Sequence, residues 1–236
     1  MNKLFYIGST PRTLRKCSAG TIFHILNRAV ARLQIFVKRE DYAAFFKALD
    51  ETFKLVRLPI YGICIIPNHW HFIVDPSDDK QVSEFFRRLT VTHTMRWHAH
   101  YKTSGTGHLY QGRLKSFPVQ DDEHLLWVMR YVERNALRAN LVEKAEDWEW
   151  SSAYLRRLRQ SERPIWLKLP KSLSLPRNWR SLVNKPLNER ESEAIQIAFA
   201  ADRRTEIRNG QLKSAARLGM QSTLRALGRP RFKKHE

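Results

Sequence analysis

The chain has 236 residues, and its 42 lysines and arginines outnumber 23 acidic residues to give a formal net charge of +19. This excess indicates a polyanionic partner, with nucleic acid ahead of an anionic membrane surface. No apolar run reaches the roughly 18 residues that a membrane-spanning helix needs, and the first residues lack the apolar core of a secretory signal. Cys17 and Cys64 are too few for a disulfide framework and lack metal-ligand spacing, so we expect a cytoplasmic protein without a membrane partner.

Apolar patterning predicts the secondary structure of the first 140 residues. Runs rich in β-branched and aromatic residues predict strands at 20–26, 60–66, 69–74 and near 114–119. Apolar residues at helical spacing predict helices over 39–55, about 81–98 and about 121–138. The resulting order, βαββαβα, predicts an α+β fold with a ferredoxin-like βαββαβ core and a third helix.

The composition changes after residue 160. Four prolines fall within a short basic stretch, which predicts a linker over 161–188 that wraps the domain formed by 1–160. The remaining residues, 189–236, predict a basic tail that begins with a polar helix over about 189–208. A chain of this length can form such a medium domain with an accessory tail.

The segment His69-Trp70-His71 is the most informative motif, and it lies within a predicted strand. Alternate side chains of a strand point to the same side of the sheet, so both imidazoles must face one way. Without further context, a pair of this kind is more often a surface pair than a metal site. A metal site would need a third ligand from elsewhere in the chain.

The third predicted helix offers that ligand. Tyr131 and Asn135 are four residues apart and therefore project from one helical face, together with Trp127 and Arg138. If this face packs toward the paired histidines, His69, His71 and Asn135 form a three-ligand site with Tyr131 nearby. A phenol is a poor nucleophile at its ordinary pKa of about 10, and a divalent ion beside a phosphate would polarise its target.

These segments carry a resemblance to a known family. The run PNHWHFIV (67–74) resembles the His-hydrophobic-His motif of single-tyrosine HUH nucleases, and RYVERNALRANLV (130–142) resembles the tyrosine helix of the IS200-like transposases. Further segments resemble the REP-associated tyrosine transposases in particular. They are GTIFHILNR with a nearby IF, HLYQGRLKSFPV, EDWEWSSAY and the tail ARLGMQSTLRALGRPR.

The resemblance implies a reaction and a site. Tyr131 takes the place of the nucleophile, which attacks single-stranded DNA to form a covalent 5′-phosphotyrosine and release a 3′-hydroxyl. His69 and His71 take the place of the metal-binding pair for Mg²⁺ or Mn²⁺, and Asn135 that of the third ligand, where relatives often carry Gln. The implied substrate is hairpin-forming, REP-like DNA of a bacterial genome. The implied location is the nucleoid, and the protein could be a monomer or a homodimer.

Basic and aromatic residues predict the DNA-contacting surface, because such grooves combine backbone charge with stacking platforms. The candidates in the first 160 residues are Arg28, Arg87, Arg88, Arg96, Arg113, Lys115, Trp127 and Arg138. Those in the tail are Arg225, Arg229 and Arg231. Gly228-Arg229-Pro230-Arg231 resembles the core of an AT-hook, a minor-groove reader, whereas a small helix-turn-helix over 211–227 is the alternative.

Several alternatives remain open at this point. Tyr110 is the second candidate nucleophile, and Asn135 is equally well explained as a polar residue near a helix end. His24, at an interior strand position, is expected to be a buried core histidine. The whole chain could instead be a non-catalytic DNA-binding protein with the transposase fold, or a metal hydrolase that uses water in place of Tyr131.

Overall fold

A computed structural model describes residues 17–119, 122–193 and 195–196. The chain divides into two compact units, 1–188 and 189–236. In the second unit, 189–193 and 195–196 are helical. Arg225, Arg229 and Arg231, and both interpretations of the tail around them, lie outside the described residues. Within the described part of the chain, no helix is both long and apolar enough to cross a membrane.

The first unit contains a four-stranded sheet flanked by helices. Its elements are β1 (Ile22–Arg28), α1 (Arg39–Leu55), β2 (Ile60–Ile66), β3 (His69–Val74), α2 (Gln81–Tyr101), β4 (Lys115–Val119), α3 (Asp122–Glu133), α4 (Asn135–Arg138), α5 (Ser152–Leu155) and α6 (Trp179–Asn184). The strands pair antiparallel in the order β2-β3-β1-β4. The predicted α+β class and ferredoxin-like core are therefore confirmed.

Three predicted elements differ from the structure, and one of them is α2, which runs to Tyr101 and not to about 98. β1 begins and ends two residues later than expected, because its ladder with β3 runs from Phe23 to Arg28. The third predicted helix is interrupted: α3 ends at Glu133 and the short α4 begins at Asn135. This interruption falls within the segment that carries the candidate nucleophile and third ligand.

One face of the sheet forms the aromatic core with α1 and α2. Trp70 of β3 stacks on Phe86 of α2 at 5.4 Å between ring centroids, and both are fully buried. The Trp70 indole N–H donates to the hydroxyl of Tyr110 at 3.2 Å, and this hydroxyl lies 2.7 Å from Nδ1 of His93. Because Trp70 points away from His69 and His71, this network holds β3 from the side opposite the paired histidines.

The edge strand β2 is covered by later parts of the chain. The Trp148 indole donates to the Ile65 carbonyl at 2.7 Å, and Cys64 forms an isolated bridge with Ser151. A second bridge joins Ile60 to Leu167, so part of the segment 161–188 lies along the same edge. Covering the edge satisfies backbone groups that would otherwise be open to pairing with another chain.

A buried carboxylate holds the end of α3. Glu133 is fully buried, and its carboxylate accepts hydrogen bonds from Ser152 Oγ at 2.8 Å, Arg156 Nε at 3.0 Å and Trp179 Nε1 at 2.8 Å. Ser152 belongs to α5 and Trp179 to α6. The buried carboxylate is thus paired with a cation and hydrogen-bonded, as a buried charge must be. Because Glu133 is only two residues after Tyr131, these contacts hold the part of α3 that carries Tyr131.

Candidate active site

The strand register places both motif histidines on the sheet face that α3 and α4 cover. On β3, His71 lies opposite Leu26 of β1 and Cys64 of β2, and His69 lies opposite Arg28 of β1. The His69 and His71 rings are 5.0 Å apart between centroids. The two imidazoles are therefore neighbours with a common orientation toward the covering helices.

His71 is the more deeply buried of the pair, with 2% of its surface exposed. Its Nδ1 lies 2.9 Å from Nε2 of His24 on β1, and the two rings stack at 5.1 Å with an interplanar angle of 14°. Nε2 of His71 is buried and has no hydrogen-bond partner within the described residues. Burial, with smaller effects of His24 and His69, holds its pKa well below the ordinary value, so the ring is neutral at pH 7.

His69 is half-buried and has a different neighbour. Its Nδ1 lies 2.6 Å from Oδ1 of the preceding residue, Asn68, so Nδ1 carries the proton and donates to that oxygen. Burial, followed by the positive charges of Arg28 and Arg138, lowers its pKa to about 4. At neutral pH this ring is uncharged, and its Nε2 holds a lone pair.

The two histidines suit the binding of a divalent ion. Metal-ligating imidazoles are neutral and usually engage an outer partner through the second ring nitrogen. Asn68 and His24 are in a position to act as these partners. Within the described ranges, no group of three or more His, Cys, Asp or Glu side chains is placed to hold a metal ion. Further ligands would therefore have to include another residue type, water or substrate oxygens.

Tyr131 projects from α3 into the same site. Its ring meets His71 edge-on at 5.8 Å and His24 at 6.0 Å between centroids. The phenol oxygen accepts a hydrogen bond from Arg138 Nη2 at 3.2 Å, and the guanidinium lies 4.8 Å from the centre of the phenol ring. The candidate nucleophile is thus next to the histidine pair and bonded to a cation.

Asn135 is buried at the start of α4. Its Nδ2 donates to the backbone carbonyls of Tyr131 at 2.9 Å and Val132 at 3.3 Å, and its Oδ1 accepts from Arg138 Nη2 at 3.0 Å. The oxygen that would bind a metal ion is therefore held by a guanidinium in this structure. Arg138 would have to release Asn135 Oδ1 before that oxygen could bind an ion.

The predicted DNA-contacting residues divide between the two sides of the sheet. Arg28 and Arg138 lie beside the histidines, and Lys115 lies in register with Leu26 on the same face. Trp127 is on α3, one turn before Tyr131, and Arg113 is exposed just before β4. The remaining three are on α2, on the opposite side, where Arg87 and Arg88 pair with Glu84 and Arg96 pairs with Glu51. The eight predicted residues therefore lie on both sides of the sheet, and their contact with DNA stays a prediction.

Two neighbours of the site were missed or assigned otherwise from the sequence. His24 was expected to be a core histidine, and it is buried, but it contacts His71 directly. Asn68 lies between two predicted strands and was not a candidate site residue, yet its amide oxygen accepts from His69. For His24 the missing information was the pairing register of β1 with β3, which local patterning does not contain.

Comparisons with known proteins give a family match and a shared fold. A family model described as "Transposase IS200 like" matches residues 17–135. A solved REP-associated tyrosine transposase bound to a REP hairpin is similar over 70% of this chain and 95% of its own, at 19% identity and a TM-score of 0.51, which shows a shared fold. A putative transposase from Deinococcus radiodurans R1 covers 53% of this chain and 95% of its own, at 15% identity and a TM-score of 0.37. No curated protein matches.

Proposed function

Because the chain belongs to the IS200-like transposase family, we propose that it cleaves and rejoins single-stranded DNA with Tyr131 as the nucleophile. The main observation in support is the position of Tyr131. Its ring lies 5.8 Å from that of His71, on the sheet face that also holds His69. A phenol, two neutral imidazoles and two guanidinium groups are a suitable set for phosphoryl transfer, which depends on positioning and on stabilising negative charge.

In the proposed reaction Tyr131 Oη attacks the scissile phosphorus. The new O–P bond makes a 5′-phosphotyrosine, while the bond from phosphorus to the 3′ oxygen breaks. The phenol loses its proton, and the leaving 3′ oxygen takes one up to become a hydroxyl. Reversal by a 3′-hydroxyl of the same or another strand reseals the DNA, because one phosphodiester has been exchanged for another ester of similar energy.

His69 and His71 would hold a divalent ion, Mg²⁺ or Mn²⁺, through Nε2, with Asn135 Oδ1 as the proposed third ligand. When bound, such an ion polarises a phosphoryl oxygen and so makes the phosphorus a better target for a weak nucleophile. Both imidazoles are neutral at pH 7, as ligation requires. Arg138, which contacts both Tyr131 Oη and Asn135 Oδ1, would move to the incoming phosphate and free both oxygens.

The proposed substrate is hairpin-forming repetitive DNA. The solved relative with the shared fold is bound to a REP hairpin, and the net charge of +19 suits a polyanionic partner. Arg28, Lys115 and Arg138 are the cations nearest the site, so they are the proposed contacts with the strand being cut. Arg87, Arg88 and Arg96 of α2 would contact DNA only if it extended around the sheet.

A covalent-adduct experiment tests the assignment of Tyr131. We would incubate the protein and Mn²⁺ with a single-stranded hairpin labelled at its 3′ end, then separate the products on a denaturing gel. Because a 5′-phosphotyrosine retains the downstream fragment, the label should migrate with the protein. Tyr131→Phe should lose this band completely, since the variant lacks only the phenol oxygen.

Tyr110→Phe is the matched control. It removes the other candidate nucleophile, whose hydroxyl is buried between Trp70 and His93 on the opposite face, so the adduct should persist. Cleavage by Tyr131→Phe without an adduct would instead support a hydrolase that uses water. Specific hairpin binding by the wild-type protein without any cleavage would support a non-catalytic DNA-binding protein.

A further inference from the structure

The contact between His24 and His71 takes no direct part in the proposed reaction. His24 is 2% exposed, and its Nε2 lies 2.9 Å from Nδ1 of His71 within a buried, stacked pair of rings. Two unprotonated nitrogens at this distance would repel each other, so one of them carries the shared proton. The direction of that hydrogen bond determines the tautomer of His71.

The surroundings of His71 Nε2 determine whether His24 or His71 donates the shared proton. If His24 Nε2 donated, the proton of neutral His71 would be on its own Nε2, which is buried without an acceptor among the described residues. A buried N–H without an acceptor is destabilising, because it has lost its hydrogen bond to water without gaining another. If His71 Nδ1 donates instead, Nε2 keeps a lone pair that a bound cation can satisfy, whereas an N–H at this position could not bind a cation.

We infer that His24 is a positioning residue for the metal site: its Nε2 accepts the Nδ1 proton of His71 and thereby directs the lone pair of His71 Nε2 into the site beside Tyr131. The inference rests on the proposed function, because it takes His71 as a metal ligand. His24 itself touches neither DNA nor ion. It acts by selecting one tautomer and one ring orientation of His71, as Asn68 does for His69 through the 2.6 Å contact with Nδ1.

This role predicts how substitutions of His24 affect metal affinity. His24→Phe keeps a flat ring for stacking but removes the acceptor, and we expect Mn²⁺ to bind roughly 10- to 100-fold more weakly, the usual effect of losing such an outer partner. His24→Gln places an amide oxygen near the position of Nε2, so it should recover most of the affinity. Isothermal titration calorimetry with Mn²⁺ alone, without DNA, measures both effects independently of cleavage.

A second measurement addresses the tautomer directly. Nitrogen-15 NMR of the histidine rings in the metal-free protein should show His71 protonated at Nδ1 and bare at Nε2. In His24→Phe the same ring should shift toward the Nε2-protonated form, because its Nδ1 no longer has an acceptor. His93→Phe is the matched control: it removes another buried imidazole, on the opposite face of the sheet, and should leave both the Mn²⁺ affinity and the His71 tautomer unchanged.

The outcomes separate this inference from the proposed function. Wild-type Mn²⁺ affinity in His24→Phe, or an unchanged His71 tautomer despite weaker binding, would overturn the role of His24. An equal loss of affinity in His93→Phe would also overturn it, since the effect would then be general destabilisation. If His71→Ala binds Mn²⁺ as tightly as the wild-type protein does, the metal site of the proposed function fails, while the NMR experiment still reports the direction of the hydrogen bond.

Discussion

At the scale of single residues, the site is notable for two positive charges beside neutral histidines. Arg28 and Arg138 both lower the pKa of His69, after the larger effect of burial. Arg138 also donates to Tyr131 Oη and Asn135 Oδ1, so one guanidinium joins the candidate nucleophile to the candidate third ligand. In the proposed reaction this cation moves to the incoming phosphate, where it would stabilise the negative charge of phosphoryl transfer.

Replacing Arg138 should therefore impair the chemical step. For Arg138→Gln we expect cleavage of a saturating hairpin substrate to slow by roughly 100-fold, the scale of losing one preorganised donor in an active site. Single-turnover kinetics on the labelled hairpin measure this rate. Arg87→Gln removes an equally cationic side chain that pairs with Glu84 on the far side of the sheet, and its rate should stay close to wild type. Equal slowing in both variants would indicate a general electrostatic effect.

At the scale of secondary-structure elements, the position of α3 depends on a contact outside the site. Glu133, at the end of α3, is bound by Ser152 of α5, Arg156 and Trp179 of α6. The family-like segment EDWEWSSAY supplies Ser152 and also the Trp148 bond to β2. This segment thus contributes to the site indirectly, because it fixes the helix that presents Tyr131.

Breaking the buried pair should destabilise the fold markedly. The Glu133 side chain is 0% exposed and that of Arg156 is 13% exposed, so Glu133→Gln leaves a largely buried, unpaired guanidinium and should lower the free energy of unfolding by about 3 kcal/mol. Urea denaturation measures the change. Glu162→Gln is the comparison, since its pair with Arg159 is exposed to solvent and its loss should leave the unfolding free energy close to that of the wild-type protein. Similar losses in the two variants would contradict the anchoring role of Glu133.

At the scale of the whole molecule, buried neutral histidines connect stability to pH. Burial lowers the pKa values of His24 and His93 to about 3, and that of His71 well below its ordinary value. The unfolded chain protonates these side chains near pH 6.5, whereas the folded protein does not. Protonation of these histidines therefore does not affect the free energy of unfolding above about pH 6.5. As the pH falls toward about 3, protonation of the unfolded chain progressively lowers that free energy.

His93 offers a test of this linkage away from the proposed metal site. Between about pH 6 and pH 4, His93→Asn should reduce the pH dependence of the unfolding free energy by about 1.4 kcal/mol per pH unit, because one fewer proton is taken up on unfolding. Asparagine keeps an acceptor near Nδ1 for the Tyr110 hydroxyl. Urea titrations at several pH values give the slope, and His108→Asn, a substitution of an exposed histidine, is the control. An unaltered slope in His93→Asn would mean that His93 is protonated in the folded state.

Local periodicity was enough to predict the order of elements, the fold class and the bounds of α1, β2 and β3. It also required His69 and His71 to share a face, and Tyr131 and Asn135 to be neighbours, since these relations follow from the repeats of a strand and a helix. The resemblance to single-tyrosine transposases rests on such local segments. Those features were open to prediction because each depends on residues close together in the chain.

Tertiary structure alone decided which distant residues meet. The register of β1 against β3 brings His24 to His71, 47 positions away, and the packing of α1 and α2 puts Arg87, Arg88 and Arg96 on the opposite side of the sheet from the histidines. The engagement of Asn135 by Arg138 likewise depends on the side-chain arrangement around the interruption between α3 and α4. Strand register and layer packing minimise the energy of the whole core, so a periodic pattern within one segment does not determine them.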